Sequence, residues 1–210
     1  ERLDKQTGWV AAMMTTTALW IAIIGRAATM DALVNLFMAL SLFDIYRYAQ
    51  DDKAVYRNRA FLWTGLGFLT KGPIAILIPI LVSGVFFGLQ KQGRRWLKAV
   101  FNPIGIAIFL AVALPWYLAQ YLKEGRPFLD DFFLKHNVGR YLAPMEGHHG
   151  GIYYYLPIAF LIVLPYSTLL IRIFGRLREI RQKPLDLFLW LWFFCVLVFF
   201  SFSATKLPHY

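Results

Sequence analysis

Apolar runs with few charges recur at residues 9–24, 32–46, 60–70, 74–89, 99–118, 152–171 and 185–202, separated by polar stretches. Most approach the ~20 residues a helix needs to cross a ~30 Å hydrocarbon core. None alternates with the two-residue period of barrel strands, and backbone groups in lipid must be satisfied internally, so the pattern predicts helices. The run 60–70 is short and must borrow residues from Val55 onward, or else form one long helix with 74–89. Between the two lies Thr70-Lys71-Gly72-Pro73, and Lys71 is the single charge in residues 60–89. A lysine without a local counter-ion, followed by a helix breaker, is costly at membrane depth and points to a functional task. The plainer reading is a tight turn whose ammonium snorkels to the interface.

Charge placement decides between these topologies. Basic clusters occupy Arg2 and Lys5; Arg47, Lys53, Arg57 and Arg59; Lys91, Arg94, Arg95 and Lys98; and Arg172, Arg176, Arg178, Arg181 and Lys183. With about seven crossings all of them fall on one side, which the positive-inside rule makes cytoplasmic. A single span over 60–89 would divide them between the two faces. The expected fold is therefore all-α, a polytopic helical membrane protein with about seven transmembrane spans. Residues 1–210 form part of a single transmembrane domain, with a long extracytoplasmic loop over about 119–151. Composition agrees, with 59% hydrophobic and 18% aromatic residues and a mean hydropathy of +0.52, too apolar for a soluble domain. The net charge of +10 would suggest nucleic acid in a soluble chain. Here the basic residues sit between apolar runs, so membrane lipids are the expected partners and nucleic acid is not. The lone Cys195 excludes a disulfide framework. No internal repeat or low-complexity tract interrupts the pattern.

This topology gathers the chemically unusual residues on the extracytoplasmic side: 26–31, Lys71, 119–151 and 206–210. Isolated charges of both signs meeting at one membrane face form the pattern of a substrate site. The segment 119–151 is long for a structureless loop. In it, Phe128, Phe132, Phe133 and Leu134 would make the apolar face of an interfacial helix, with Asp130, Asp131 and Lys135 in water. Glu146, His148 and His149 follow in a glycine-hinged loop, and Tyr153, Tyr154 and Tyr155 stand at the next helix entrance like an aromatic belt. Asp44 and Asp186 are read only as helix-end charges, and Trp63, Trp190 and Trp192 as packing within spans.

The order of motifs carries a resemblance. Gly25-Arg-Ala-Ala-Thr-Met-Asp31 comes first, then Thr70-Lys71-Gly72-Pro73, then Phe132-Phe133-x3-Asn137-Val-Gly-Arg140-Tyr. Glu146-Gly-His148-His149-Gly-Gly151-x-Tyr153-Tyr154-Tyr155-Leu-Pro157 and Thr205-Lys206-Leu207-Pro208-x-Tyr210 complete it. Each motif is weak alone. In this order, over almost the whole chain, they resemble the polyprenyl-phosphate-dependent glycosyltransferases of the GT-C class. Within it they are most similar to the bacterial protein-mannosyltransferase-like family 39, close to its lipid A aminoarabinose transferase branch. The resemblance implies a multi-pass enzyme of the bacterial inner membrane with an extracytoplasmic site. Such an enzyme moves a sugar from a polyprenyl-phosphate donor to a lipid, glycan or protein acceptor. It implies no cofactor, and no glycine-rich phosphate loop occurs here. It also implies a principal carboxylate in a loop preceding residue 1, so the chain is expected to be a piece of a longer protein, inactive alone.

By the same resemblance Lys71 and Arg140 contact the donor phosphate, Lys206 adds positive charge, and Asp31 is the carboxylate near the sugar. The chemistry suits these roles. An ammonium neutralises a phosphodiester in low dielectric, a guanidinium binds one bidentately, and a carboxylate accepts sugar hydroxyls or assists proton removal. Plainer alternatives stand beside each. Asp31 is also a helix N-terminal charge with Thr29 as cap, or the partner of Arg26. Arg140 is also an interfacial anchor beside Tyr141, and Lys206 a surface lysine. Glu146, His148, His149 and Tyr153 read as a loop closing over substrate. His136, His148, His149 and Glu146 raise the question of a divalent metal. Adjacent histidines in a loop lack a fixed ligand spacing, and Asn137 stands where some relatives have histidine, so no metal is expected. Two rival classes remain: a non-catalytic envelope scaffold, and a transporter, which should show paired broken helices in two related halves.

Overall fold

A computed structural model of the chain describes residues 5–26, 29–129, 151–169, 175 and 183–204. Those residues are helical, with no strand among them. In chain order they form α1 (Lys5–Thr17), α2 (Leu19–Arg26), α3 (Met30–Asp51), α4 (Ala54–Lys71) and α5 (Ile74–Leu89). After these come α6 (Gly93–Val100), α7 (Pro103–Glu124), α8 (Arg126–Leu129), a 3-10 turn (Ile152–Tyr154), α9 (Tyr155–Ile162) and α10 (Pro184–Phe202).

The hairpin of α3 and α4 organises the rest. Asp52, at φ 54°, turns the chain in the left-handed region and returns its N–H to Tyr48 O. Arg95 of α6 then covers the carbonyls that end α3, donating to Tyr48 O at 2.6 Å and Ala49 O at 2.9 Å while binding Asp52 at 2.8 Å. A cation over these orphan acceptors also complements the helix dipole. Cross-hairpin pairs run 31 with 71, 41 with 64, and 44 with 63 and 59, the register of two antiparallel helices. At the far end Gly72, at φ 77°, closes α4, and Pro73 opens α5. The chain therefore turns at Lys71, and the alternative of one long helix over 60–89 is overturned.

Helix α4 packs on α3, α5 and α7 at once, which small residues make feasible. A Cβ on Gly105 would lie 2.4 Å from the Phe61 ring, and one on Gly67 3.0 Å from Ala75 Cβ. Close backbone approach of this kind is how helices associate where lipid removes the hydrophobic driving force between them. Asn102 caps α7, its Oδ1 accepting from Gly105 N at 3.1 Å, with Pro103 in the first helical position. Around α5 the apolar core forms from Leu42, Tyr46, Ile78, Val82, Phe86, Phe87 and Phe188. There Phe188 meets Phe86 edge-on at 5.1 Å.

Three described helices, α3, α7 and α10, are long and apolar enough to cross a membrane, while α5 has 16 residues. At 22 residues, α3 and α7 each reach about 33 Å, the thickness of a hydrocarbon core. Other expected runs divide differently. The run 9–24 breaks at Ala18, where Leu19 N donates to Leu164 O at 2.9 Å and Thr17 Oγ1 meets Tyr166 OH at 2.7 Å. The run 152–171 ends its helix at Ile162, shortly before Pro165, which has no N–H to continue one. Helix α7 extends to Glu124 and is followed by α8, so the expected loop 119–151 begins as helix. Helix α6 lies where only a basic loop was expected.

Asp44 is not a helix-end charge. It lies inside the α3–α4 contact at 1% exposure. Its Oδ2 accepts from Trp63 Nε1 at 2.9 Å and faces Arg59 Nε at 3.1 Å, and its Oδ1 faces Arg47 at 3.6 Å. Trp63 thus does more than pack, since it supplies a donor to a buried carboxylate. Asp186 does sit in the first turn of α10, as a helix-end charge should.

Candidate functional site

The site is built where α3 begins and α4 ends. Asp31 stands in the first turn of α3 and Lys71 is the last residue of α4. The hairpin register makes them an ion pair, Lys71 Nζ donating to Asp31 Oδ1 across forty residues of sequence. Their side chains are 27% and 17% exposed, shielded from solvent yet reachable. Each charge also complements the helix end that carries it, acid at an N-terminus and base at a C-terminus. The partner of Asp31 is thus Lys71 rather than Arg26. The capping expectation for Thr29 is also corrected: its backbone has N-cap geometry, but its hydroxyl makes no cap hydrogen bond.

The support beneath Lys71 is polar and aromatic. Thr70 Oγ1 donates back to Leu66 O at 2.8 Å, and Gly72 N to Phe68 O at 2.8 Å. Tyr117 of α7 donates its hydroxyl to the same Phe68 carbonyl at 3.0 Å and packs on the Phe68 ring at 4.9 Å. Phe128 of α8 rests on Trp116 and Tyr117 at 5.8 and 6.1 Å. The start of the former loop is thereby laid against the helix end that carries Lys71. Of the apolar residues expected on the interfacial helix, Phe128 is the described one, and it is buried instead of presented to lipid.

Tyr153 lies on the 3-10 turn at 77% exposure, with no role in the pair among the described residues. Its neighbour Tyr155 is buried against Phe200 of α10, so the three tyrosines divide between packing and surface. Arg140, Lys206, Glu146, His148 and His149 lie outside the described residues, as do His136 and Asn137. One contributor escaped the sequence reading. Tyr117 braces the last turn of α4. A tyrosine beside a tryptophan within an apolar run was the available signal for it.

Chemically, the arrangement offers an ammonium held by a carboxylate at a helix break, reachable from one end of the bundle. A family model described as dolichyl-phosphate-mannose-protein mannosyltransferase matches residues 1–118. The undecaprenyl phosphate-alpha-4-amino-4-deoxy-L-arabinose arabinosyl transferase of Yersinia enterocolitica is 31% identical over 99% of this chain and 38% of its own length. Its namesake from Yersinia pestis strain Pestoides F is 30% identical over the same shares. The chain therefore spans about two fifths of these curated relatives. A crystal structure of ArnT from Cupriavidus metallidurans bound to undecaprenyl phosphate superposes with a TM-score of 0.80, covering 91% of this chain and 35% of that one. The apo form gives 0.77 over 95% and 37%. At 23% identity these two likenesses are of fold, that of a polytopic helical membrane protein.

Proposed function

Since the chain belongs to the dolichyl-phosphate-mannose-protein mannosyltransferase family, we propose that it is the donor-phosphate region of an integral-membrane glycosyltransferase. The enzyme takes a sugar from an undecaprenyl-phosphate-type donor and passes it to an acceptor lipid of the lipid A kind, at the extracytoplasmic face of a bacterial inner membrane. One observation carries this reading: the Asp31–Lys71 pair, half-shielded at the break between α4 and α5. The relatives' arabinosyl transferase activity and the fold shared with a protein crystallised with undecaprenyl phosphate support the donor class.

In such a transfer the bond between the sugar's anomeric carbon and the phosphate oxygen breaks. An acceptor oxygen bonds to that carbon, its proton passes to a base, and the polyprenyl phosphate departs as an anion. Lys71 neutralises that departing charge, most strongly where water is scarce. Asp31 holds the ammonium in place and accepts hydrogen bonds from the sugar. Because Asp31 already compensates Lys71, phosphate binding calls for further cations, and Arg140 and Lys206 fill that role. Glu146, His148, His149 and Tyr153 belong to the loop that closes over the substrate.

The test is sugar transfer by the purified whole protein in lipid, with an undecaprenyl-phosphate aminoarabinose donor and lipid A acceptor, product read by mass. Transfer is expected, with Arg140→Ala lowering the rate about a hundredfold or more, the worth of one lost charge-stabilising donor. No product from a folded protein, or a wild-type rate in Arg140→Ala, would refute the corresponding part of the reading.

A further inference from the structure

Toward the end of α4 remote from Lys71 the helices line a half-open cleft of about 180 Å³, between α3, α4, α5, α6 and α7. Its walls include Phe61, Ile80, Phe87, Trp96, Val100 and Phe109. Two of the three hydroxyl-bearing residues that line it, Ser83 and Thr64, have theirs already engaged. Ser83 Oγ donates to Ile80 O at 3.2 Å and accepts from Trp96 Nε1 at 2.9 Å, while Thr64 Oγ1 pairs with Ser41 Oγ at 2.9 Å. Walls of this kind offer a water molecule too few partners and suit hydrocarbon. Along α5 the lining extends from Phe87 to Ile76. That is about 16 Å of helix, near half of a ~30 Å hydrocarbon core and so the depth of one leaflet.

The basic end of the cavity carries a cation. Arg57 lines it, with Nε and Nη2 both donating to Asn58 Oδ1 at 3.2 Å and no carboxylate partner among the described residues. Its basic neighbours are committed otherwise: Arg59 and Arg47 to Asp44, and Arg95 to Asp52. Helix α6, which contributes Trp96, Ala99 and Val100 to the wall, also presents exposed Arg94 and Lys98. An apolar slot one leaflet deep, with an arginine that among the described residues is met only by a neutral amide, is complementary to one amphiphile. We propose that this half-open cleft seats a single anionic phospholipid of the leaflet at this basic end, one acyl chain lying along it and partly inside, and the phosphate on Arg57. A guanidinium fork matches the phosphate's geometry. The exposed basic residues of α6 add attraction for an anionic leaflet.

Native mass spectrometry of the whole protein, stripped of lipid and titrated with phosphatidylglycerol or phosphatidylcholine of identical chains, tests this. Wild type is expected to hold one phosphatidylglycerol about fivefold more tightly than phosphatidylcholine, the worth of one basic residue at an anionic surface. Arg57→Gln should erase that preference, Arg57→Lys should restore most of it, and Ala99→Phe, which fills the slot, should weaken both lipids. Equal retention of the two lipids by wild type overturns the proposal. So does unchanged phosphatidylglycerol binding in Arg57→Gln or in Ala99→Phe, each monodisperse on gel filtration.

Discussion

Replacing Lys71 by Met removes the ammonium and leaves Asp31 charged behind a 17% exposed surface. Exposed ion pairs are worth ~0–1 kcal/mol, whereas stripping one partner from a fully buried pair costs ~3–5 kcal/mol. The shielding here lies between those limits, so Lys71→Met should destabilise by about 2 kcal/mol. Asp31→Asn on its own leaves the ammonium without its carboxylate and should cost slightly less, because a lysine head relaxes toward water. Combining the two leaves no stranded charge, and stability should recover to within about 1 kcal/mol of wild type. Activity should not follow stability. If Lys71 meets the donor phosphate, the double variant remains about a hundredfold slow or worse, since the cation facing the leaving group is still missing. The assay is a four-corner cycle, with thermal unfolding and initial transfer rates measured on the same whole-protein preparations. Recovery of the rate together with stability would refute the phosphate role and make the pair a strut between helix ends.

Other outcomes follow from the packing. Gly105→Ala drives a methyl to 2.4 Å of the Phe61 ring and should cost about 2 kcal/mol; adding Phe61→Leu should return part of it, as read by thermal melts. Asp44→Ala leaves Arg59 and Trp63 without their shared acceptor and should cost about 3 kcal/mol, against about 1 kcal/mol for Trp63→Phe. Tyr117→Phe removes one hydrogen bond to the last turn of α4, about 1 kcal/mol. Its transfer rate should fall without a matching rise in the apparent KM for donor.

The turn at Lys71 was legible because Gly72 and Pro73 are local breakers and because only a turn there puts the basic clusters on one side. The same holds for α5, whose apolar run needs no context to be buried, and for the basic residues that separate the hairpins. Asp44 was not legible. Its neighbours in sequence allow a helix-end reading, and the residues that bury it arrive from the next helix, with Arg59 and Trp63 brought over by the hairpin. The break at Ala18 had no Gly or Pro to announce it. It is fixed by Leu164 and Tyr166, far along the chain. Helix α6 was hidden by its charges, since its stability comes from Trp96 on Ser83 and Arg95 on the end of α3. In the site, the isolated charge of Lys71 and the family resemblance indicated Asp31 and Lys71, but their direct contact depends on a register that composition does not encode.

That register is indexed away from the place where it is used. From Trp63 to Lys71 α4 rises about 12 Å, and the Asp44 cluster lies at the near end of that lever. Sliding α4 past α3 by one turn would carry Trp63 and Arg59 ~5.4 Å off the carboxylate and strand its charge in the interior, a penalty of several kcal/mol. Apolar side chains along the hairpin tolerate such a slip far better, because one methyl group resembles another. The buried carboxylate therefore works as a detent: it selects the one alignment in which a lysine and an aspartate from different helices meet at the far end. Residues along the lipid-facing side of the hairpin are in consequence free to vary without shifting the pair.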